Sequence, residues 1–203
     1  MKPLFVLSSA LLFAGCCTSQ KCFMNETPAA VVPALVKFEF VEQPEVVVVG
    51  KAIRFNLDAA KADDNPPALW TRCFADGTFT TLEALADFVH NPAYVGLMTG
   101  YDPETGSFDY IAGMIMKPGV PVPENFVSRT LAPARVAVGW IQGKNDHHPA
   151  IYQNAHRLTD AAMTAQGATP DFNAGWSMEV YTCRFAEPDA DGFIILDYYL
   201  PCE

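Results

Sequence analysis

The sequence predicts a mixed α and β domain built from two strand–helix–strand–strand repeats, preceded by a short export signal. Two observations indicate that the domain contains a repeat. A Pro-x-x-Val-x-Val-Gly segment occurs at 44–50 and again at 133–139, and each copy is followed by a helix-like stretch and then a β-hairpin pattern. The repeat is about 90 residues long, which is longer than the repeating unit of a solenoid protein. We therefore expect the two copies to pair as a pseudo-dimer with a cleft between them.

The first fifteen residues have the pattern of a secretory signal. Lys2 is their only charge, and the apolar run that follows is shorter than the about 20 residues that span a bilayer. The end of this segment, Leu12 to Cys16, resembles the lipobox of bacterial lipoproteins, with Phe13 where leucine is usual. The resemblance implies cleavage before Cys16 and acylation of its thiol. An ordinary secretory signal, with Cys16 incidental, is the alternative.

This interpretation divides the chain into a signal peptide (1–15), a lipidated tether (16–35) and a domain (36–203). Acyl chains on Cys16 would anchor the protein to the bilayer of the cell envelope, since each buried methylene contributes about 0.8 kcal/mol. In a cell with two membranes, the residue after the lipidated cysteine influences sorting. Cys17 at this position, where aspartate is absent, favours the outer membrane, facing the periplasm.

The charge of the chain disfavours partners that need a basic surface. The 13 Lys and Arg against 23 Asp and Glu give a formal charge of −10, and loss of Lys2 with the signal makes it −11. We therefore expect no nucleic-acid partner, because such binding needs clustered cations. Six cysteines are present, and the three of the domain leave at least one free thiol or a bridge to the tether. The pairing among Cys17, Cys22, Cys73, Cys183 and Cys202 stays open.

The elements follow from periodicity and turn residues. Apolar spacing and loop composition predict helices over 67–74, 81–89 and 149–165. Loops rich in Pro, Asp and Gly predict two hairpins, with strands over 95–100 and 108–117 and over 177–185 and 193–200.

Glu179 is the first candidate for a functional residue. It alternates with Tyr181 and Cys183 on one face of its predicted strand, while Trp176, Met178 and Val180 take the other. Neither face is polar, so a strand covered on both sides is expected. A buried carboxylate is costly unless paired, and it suits a general acid or base or the binding of an organic cation. A solvated edge or a pair with an arginine are the alternatives.

Three aromatic residues are further ligand-binding candidates: Tyr110 in the first hairpin, Trp140 at the end of a strand and Tyr152 at the start of a helix. Each could equally be core packing. Asp146-His147-His148 resembles a metal site only superficially, because adjacent histidines diverge; we expect no metal or other cofactor, and Asp146 as a helix cap.

Several segments, taken in order, resemble the GyrI-like, or bacterial effector-binding, domain family. Phe108 to Gly113 resembles its "FDYxAG" strand, Met178 to Tyr181 its "fElY" strand, and Asp197 to Pro201 its closing strand. Pro121 to Pro123 and Val136 to Gly139 fall where the family has two other segments. The resemblance implies an α+β fold: two βαββ repeats in a pseudo-two-fold antiparallel sheet, with helices on one side and a central cleft holding Glu179.

Family members bind effectors in transcription regulators, act as separate small-molecule binders, inhibit gyrase or hydrolyse cyclopropane-containing toxins. An exported chain favours the binding of a small, largely apolar molecule, with organic cations among the candidates, at Glu179, Tyr181, Tyr110, Trp140 and Tyr152. The alternatives are a small-molecule hydrolase with Glu179 as the catalytic group, or a protein-interaction module of the envelope without a ligand. Binding is preferred because membership of a family does not by itself bring catalysis.

Overall fold

The computed structural model describes residues 32–56 and 65–203. Residues 31–203 form one compact unit. The signal peptide, Cys16 and nearly all of the predicted tether lie outside the described residues.

Eight strands form one antiparallel sheet in the order β1-β6-β8-β7-β3-β4-β2-β5. Their bounds are β1 Ala34–Gln43, β2 Val46–Asn56, β3 Val89–Asp102, β4 Ser107–Met116, β5 Val127–Leu131, β6 Ala134–Lys144, β7 Trp176–Tyr181 and β8 Phe193–Pro201. The helices are α1 Pro66–Ala75, α2 Thr78–Glu83, α3 His148–Ala165 and the single turn α4 Cys183–Ala186, with 3-10 turns at Ala86–Phe88 and Asn145–His147.

The strand order has a pseudo-two-fold axis between β3 and β7. The first repeat is β2-α1-α2-β3-β4 and the second is β6-α3-β7-β8, so the predicted α+β architecture with helices on one side is confirmed. Two strands were not predicted. β1 precedes the first repeat but pairs with β6, and β5 precedes the second repeat but pairs with β2. The strand that precedes each repeat therefore pairs with the other repeat, and this pairing joins the two halves of the sheet.

The sheet has two differently covered faces. On the outer face, α1 and α2 pack on β2 and β4, and α3 packs on β6, β8 and β1. The inner face holds one apolar cluster that joins Val46 and Leu131, near one end of the strand order, to Val136 and Val138, near the other. The sheet must therefore curve around its inner face to bring these strands together. The outer face of β3 and β7 lies between the two groups of helices.

The repeated sequence segments are out of phase in the structure. Val47 and Val49 of the first copy pack beneath α1 and α2, whereas Val136 and Val138 of the second copy lie in the inner cluster. Since side chains alternate along a strand, the equivalent positions differ by one residue from the alignment of the Pro-x-x-Val-x-Val-Gly segments.

The second hairpin differs from its prediction at one end. β7 stops at Tyr181, and α4 follows where the strand was expected to continue to Phe185. Cys183 is therefore exposed on this turn and does not share a strand face with Glu179. Cys73, Cys183 and Cys202, the three cysteines in the described part, are all free thiols.

Candidate functional site

The site is built around Glu179 on the outer face of β7. Its cross-strand neighbours are Gly96 on β3 and Tyr198 on β8, so it lies in the middle of the sheet and not at an edge. The alternate residues Trp176, Met178 and Val180 point into the inner cluster, as predicted. The outer position places the carboxylate between the helices of the first repeat and those of the second.

Two tyrosine hydroxyls donate hydrogen bonds to the same oxygen of Glu179. Tyr110 Oη lies 2.8 Å and Tyr181 Oη 2.7 Å from Oε2. Oε1 accepts no hydrogen bond from the described residues, and it is not among the fully buried unpaired atoms. The two tyrosines thus fix one of the two carboxylate oxygens.

Glu179 is 9% exposed, and no Lys, Arg or His in the described part of the chain forms an ion pair with it. Burial raises the pKa of its carboxyl above the ordinary value, and the hydrogen bonds from Tyr181 and Tyr110 lower it again. The pKa values of both tyrosines are raised well above 10, because the hydroxyls are buried beside the carboxylate. Both tyrosines are therefore neutral donors that do not compensate the charge of Glu179.

Gly96 makes the contact between Tyr110 and Glu179 possible. Tyr110 lies on β4, one strand beyond Gly96, and its hydroxyl must cross above Gly96 to reach Glu179 on β7. A Cβ atom at Gly96 would overlap Tyr110 Oη and come within 2.8 Å of Glu179 Oε2. A glycine inside a strand often marks such a close approach.

Aromatic side chains from both repeats surround the carboxylate and its two tyrosines. Trp70 of α1 donates from Nε1 to Tyr110 Oη at 2.9 Å, and its ring meets the ring of Tyr181 edge-on at 5.0 Å. Phe185 of α4 also packs edge-on against Tyr181, with ring centroids 4.8 Å apart. Tyr152 of α3 is near enough that partial burial and the charge of Glu179 raise its pKa to about 12.

The structure brings four of the five predicted ligand-binding residues together. Glu179, Tyr110 and Tyr181 are in direct contact, and Tyr152 lies beside them. Trp140 is on the inner face of the sheet, where its ring packs against the inner cluster with Arg184 and Lys37 over it, each 4.0 Å from the centroid. The structure thus places Trp140 away from the other four.

Sequence reasoning missed Trp70, Gly96 and Phe185. Gly96 had a usable signal, since it interrupts a predicted strand. Trp70 and Phe185 had none, because nothing in the sequence near them indicates that they both contact Tyr181.

The Asp146-His147-His148 segment lies at the start of α3. His147 is the N-cap residue without a side-chain cap, so the prediction that Asp146 caps the helix was wrong. Within 32–56 and 65–203, no three His, Cys, Asp or Glu residues are grouped so as to hold a metal ion. No helix in the same ranges is long and apolar enough to cross a membrane.

No protein-family model and no curated protein matches the chain. Among the solved structures that resemble it are three proteins. SAV2435 bound to tetraphenylphosphonium has a TM-score of 0.59 at 16% identity, covering 82% of this chain and 94% of its own. A bacterial transcription regulation protein of Staphylococcus aureus MU50 has a TM-score of 0.55 at 18% identity, covering 82% and 98%.

The third is an integron cassette protein from the mobile metagenome of Vibrio cholerae, with a TM-score of 0.50 at 15% identity, covering 84% and 99%. At these identities the likeness concerns the fold alone. The chain has an α+β fold that matches that of its GyrI-like structural neighbours.

Proposed function

We propose that the chain binds a small, largely apolar organic cation in the cleft over Glu179. One observation carries the proposal: the carboxylate is buried, and within the described residues its hydrogen bonds come only from neutral hydroxyls. A buried charge without a counterion is costly, and a positively charged ligand would offset that cost.

The surroundings of Glu179 favour an apolar cation over a strongly hydrated one. The rings of Trp70, Tyr181, Phe185 and Tyr152 present apolar surface and electron-rich faces. A cation held near such faces gains about 0.5–2 kcal/mol from each good contact, and more where water is excluded. Structural similarity to SAV2435, which was solved with tetraphenylphosphonium, supports the same class of ligand.

Titration with tetraphenylphosphonium tests the proposal, with calorimetry on the chain expressed from residue 32. We expect Glu179→Gln to weaken binding at least about tenfold, equivalent to about 1.4 kcal/mol. Glu45→Gln is the matched control, because it makes the same chemical change on the exposed surface. It should leave the affinity within about twofold.

Equal binding by wild type and Glu179→Gln would exclude the role of Glu179. Absence of wild-type binding to tetraphenylphosphonium and to smaller aromatic cations would count against the cation proposal and favour an envelope interaction module.

Hydrolysis of a reactive small molecule is the second candidate, and a specific observation favours it. A hydrolase needs a second polar group beside its general acid or base, and the hydroxyls of Tyr110 and Tyr181 both meet this condition at Oε2. Incubation with strained-ring electrophiles, followed by mass spectrometry for the addition of water, separates the two functions. Turnover that Glu179→Gln abolishes would favour hydrolysis, and unchanged electrophiles would favour binding alone.

We also propose that the binding domain is anchored to the cell envelope through acylated Cys16. The proposal rests on the sequence of residues 1–16. The test is to express the full chain in bacteria and measure the mass of its N-terminal peptide and its partition into detergent. Cys16→Ser should abolish both the added lipid mass and the partition, whereas Cys17→Ser should preserve them. Lipid mass that survives Cys16→Ser would overturn the assignment.

A further inference from the structure

The short turn α4 carries side chains that contact both faces of the sheet. It spans Cys183–Ala186 directly after β7, and its backbone bonds are local, from the amides of Phe185, Ala186 and Glu187 to the carbonyls of Thr182 and Cys183. One turn of helix is far too short to be stable alone. Its position must therefore be fixed by the side chains that leave it.

On the outer face, Phe185 closes one side of the aromatic group over Glu179. Its ring lies 4.8 Å from that of Tyr181 at an interplanar angle of 80°, and it also approaches His148 at 5.3 Å and Tyr152 at 6.4 Å. Tyr181 is one of the two residues whose hydroxyls donate to Glu179 Oε2. Any movement of Phe185 would therefore change the space beside the carboxylate.

On the inner face, the preceding residue Arg184 is held by two contacts. Its Nη2 lies 2.5 Å from Oδ2 of Asp197, a residue that is only 4% exposed, and its guanidinium stacks at 4.0 Å over Trp140. Asp197 is the cross-strand neighbour of Val180, one residue from Glu179 but on the other side of the sheet. Neither contact reaches the cleft.

We propose that Arg184 is a positioning residue for the cleft: anchored to Asp197 and Trp140 on the inner face, it holds α4 so that Phe185 closes the site around Glu179. The inference rests on the proposed binding function. It gives a role to the Arg184–Asp197 pair that packing alone would not predict, since the pair would set ligand affinity without touching the ligand.

Binding of tetraphenylphosphonium by four variants tests the coupling. Arg184→Ala and Phe185→Ala should each weaken binding about fivefold, and the double variant should be no weaker than Phe185→Ala alone, because Arg184 acts through Phe185. Arg184→Lys should recover most of the affinity by keeping the charge beside Asp197. Lys37→Ala is the matched control, since Lys37 also lies over Trp140 at 4.0 Å but belongs to β1; it should bind like wild type.

Independent effects of the two alanine variants, or wild-type affinity in Arg184→Ala, would overturn the proposal. Amide hydrogen exchange of α4 provides a readout that needs no ligand. The amides of Phe185, Ala186 and Glu187 should exchange faster in Arg184→Ala and unchanged in Lys37→Ala, while the amides of β8 keep their protection.

Unchanged exchange of α4 in Arg184→Ala would also overturn the proposal. A wild type that fails to bind tetraphenylphosphonium counts against the proposed function instead, and the exchange rates then decide whether Arg184 holds α4.

Discussion

Glu179 and Asp197 are two buried carboxylates on neighbouring strands, and they differ in the groups that surround them. Glu179 pairs with Tyr198, and the adjacent pair in the same ladder is Val180 with Asp197, so the two acids point to opposite faces of the sheet. Burial raises the pKa of both. Asp197 has the guanidinium of Arg184 beside it, whereas among residues 32–56 and 65–203 the hydrogen-bond partners of Glu179 are neutral hydroxyls.

The difference is whether the described part of the protein compensates the charge of the buried acid. The charge of a buried acid beside an arginine is compensated within the protein, and the removal of either partner costs stability. The charge of a buried acid without a counterion is left uncompensated by the described residues, and under the proposed function a cationic ligand would compensate it. The comparison therefore predicts that the two acids respond in opposite directions to the same chemical change.

Neutralising each acid in turn gives the largest expected effect. Asp197→Asn should lower the free energy of unfolding by about 2–3 kcal/mol, below the usual cost of breaking a buried pair because the side chain of Arg184 is 35% exposed and can turn towards solvent. Glu179→Gln should leave that free energy unchanged or raise it, since it removes an uncompensated buried charge. Urea denaturation at pH 7 measures both. A loss of similar size in the two variants would refute the distinction.

A methyl group at Gly96 should affect the cleft with a smaller loss of stability. Gly96→Ala would force Tyr110 Oη away from Glu179, so we expect an overpacking cost of about 1–2 kcal/mol together with weaker binding of tetraphenylphosphonium. The control is the same change in a Tyr110→Phe background, where the nearest clashing atom is absent and the additional loss should be smaller. An equal loss in both backgrounds would mean that Tyr110 is not what Gly96 accommodates.

The pH dependence of stability and that of binding should have opposite signs. Because the pKa of Glu179 is higher in the folded than in the unfolded chain, the folded state holds the proton more tightly. In the window between the two pKa values, stability contributed by this group therefore falls as pH rises, with a slope below about 1.4 kcal/mol per pH unit. The affinity for a cation should rise over the same window, as the carboxylate ionises.

The measurement is the difference between wild type and Glu179→Gln, by denaturation and by titration with tetraphenylphosphonium across that window. If wild type and variant show the same pH dependence of stability, Glu179 is not the group that titrates there.

The turn of the first hairpin was predictable from the sequence, whereas the strand β5 was not. The turn between β3 and β4 is set by Asp102, whose carboxylate accepts from the amide of Glu104 and the hydroxyl of Thr105, so the residues that predict this hairpin also build it. β5 has four exposed residues and one buried, and it is a strand only because it pairs with β2. A short polar segment of this kind gives no signal in its own sequence.

In the candidate site, too, some residues were predictable from the sequence, whereas the contacts that join them were not. Tyr110 and Glu179 were predicted through a family resemblance, and their contact depends on Gly96, which lies on the strand between them. Trp140 was placed in the cleft although its neighbour Val138, two residues before it, belongs to the inner cluster. Strand alternation assigns the same face to both residues, but the inner face could not be identified without the pairing of the strands.

Removal of the Tyr110 hydroxyl should have the smallest effect and should define how the site is held. Tyr110→Phe deletes one of the two donors to Glu179 Oε2 and leaves Trp70 Nε1 without its acceptor, for a loss of about 1 kcal/mol in the free energy of unfolding. Because that donor lowers the pKa of Glu179, its removal should move the midpoint of cation binding to higher pH. Trp70→Phe is the matched variant: it keeps Tyr110 Oη on Glu179 and should leave the midpoint in place. A shift of the midpoint in Trp70→Phe but not in Tyr110→Phe would mean that the indole, and not the tyrosine, sets the charge state of Glu179.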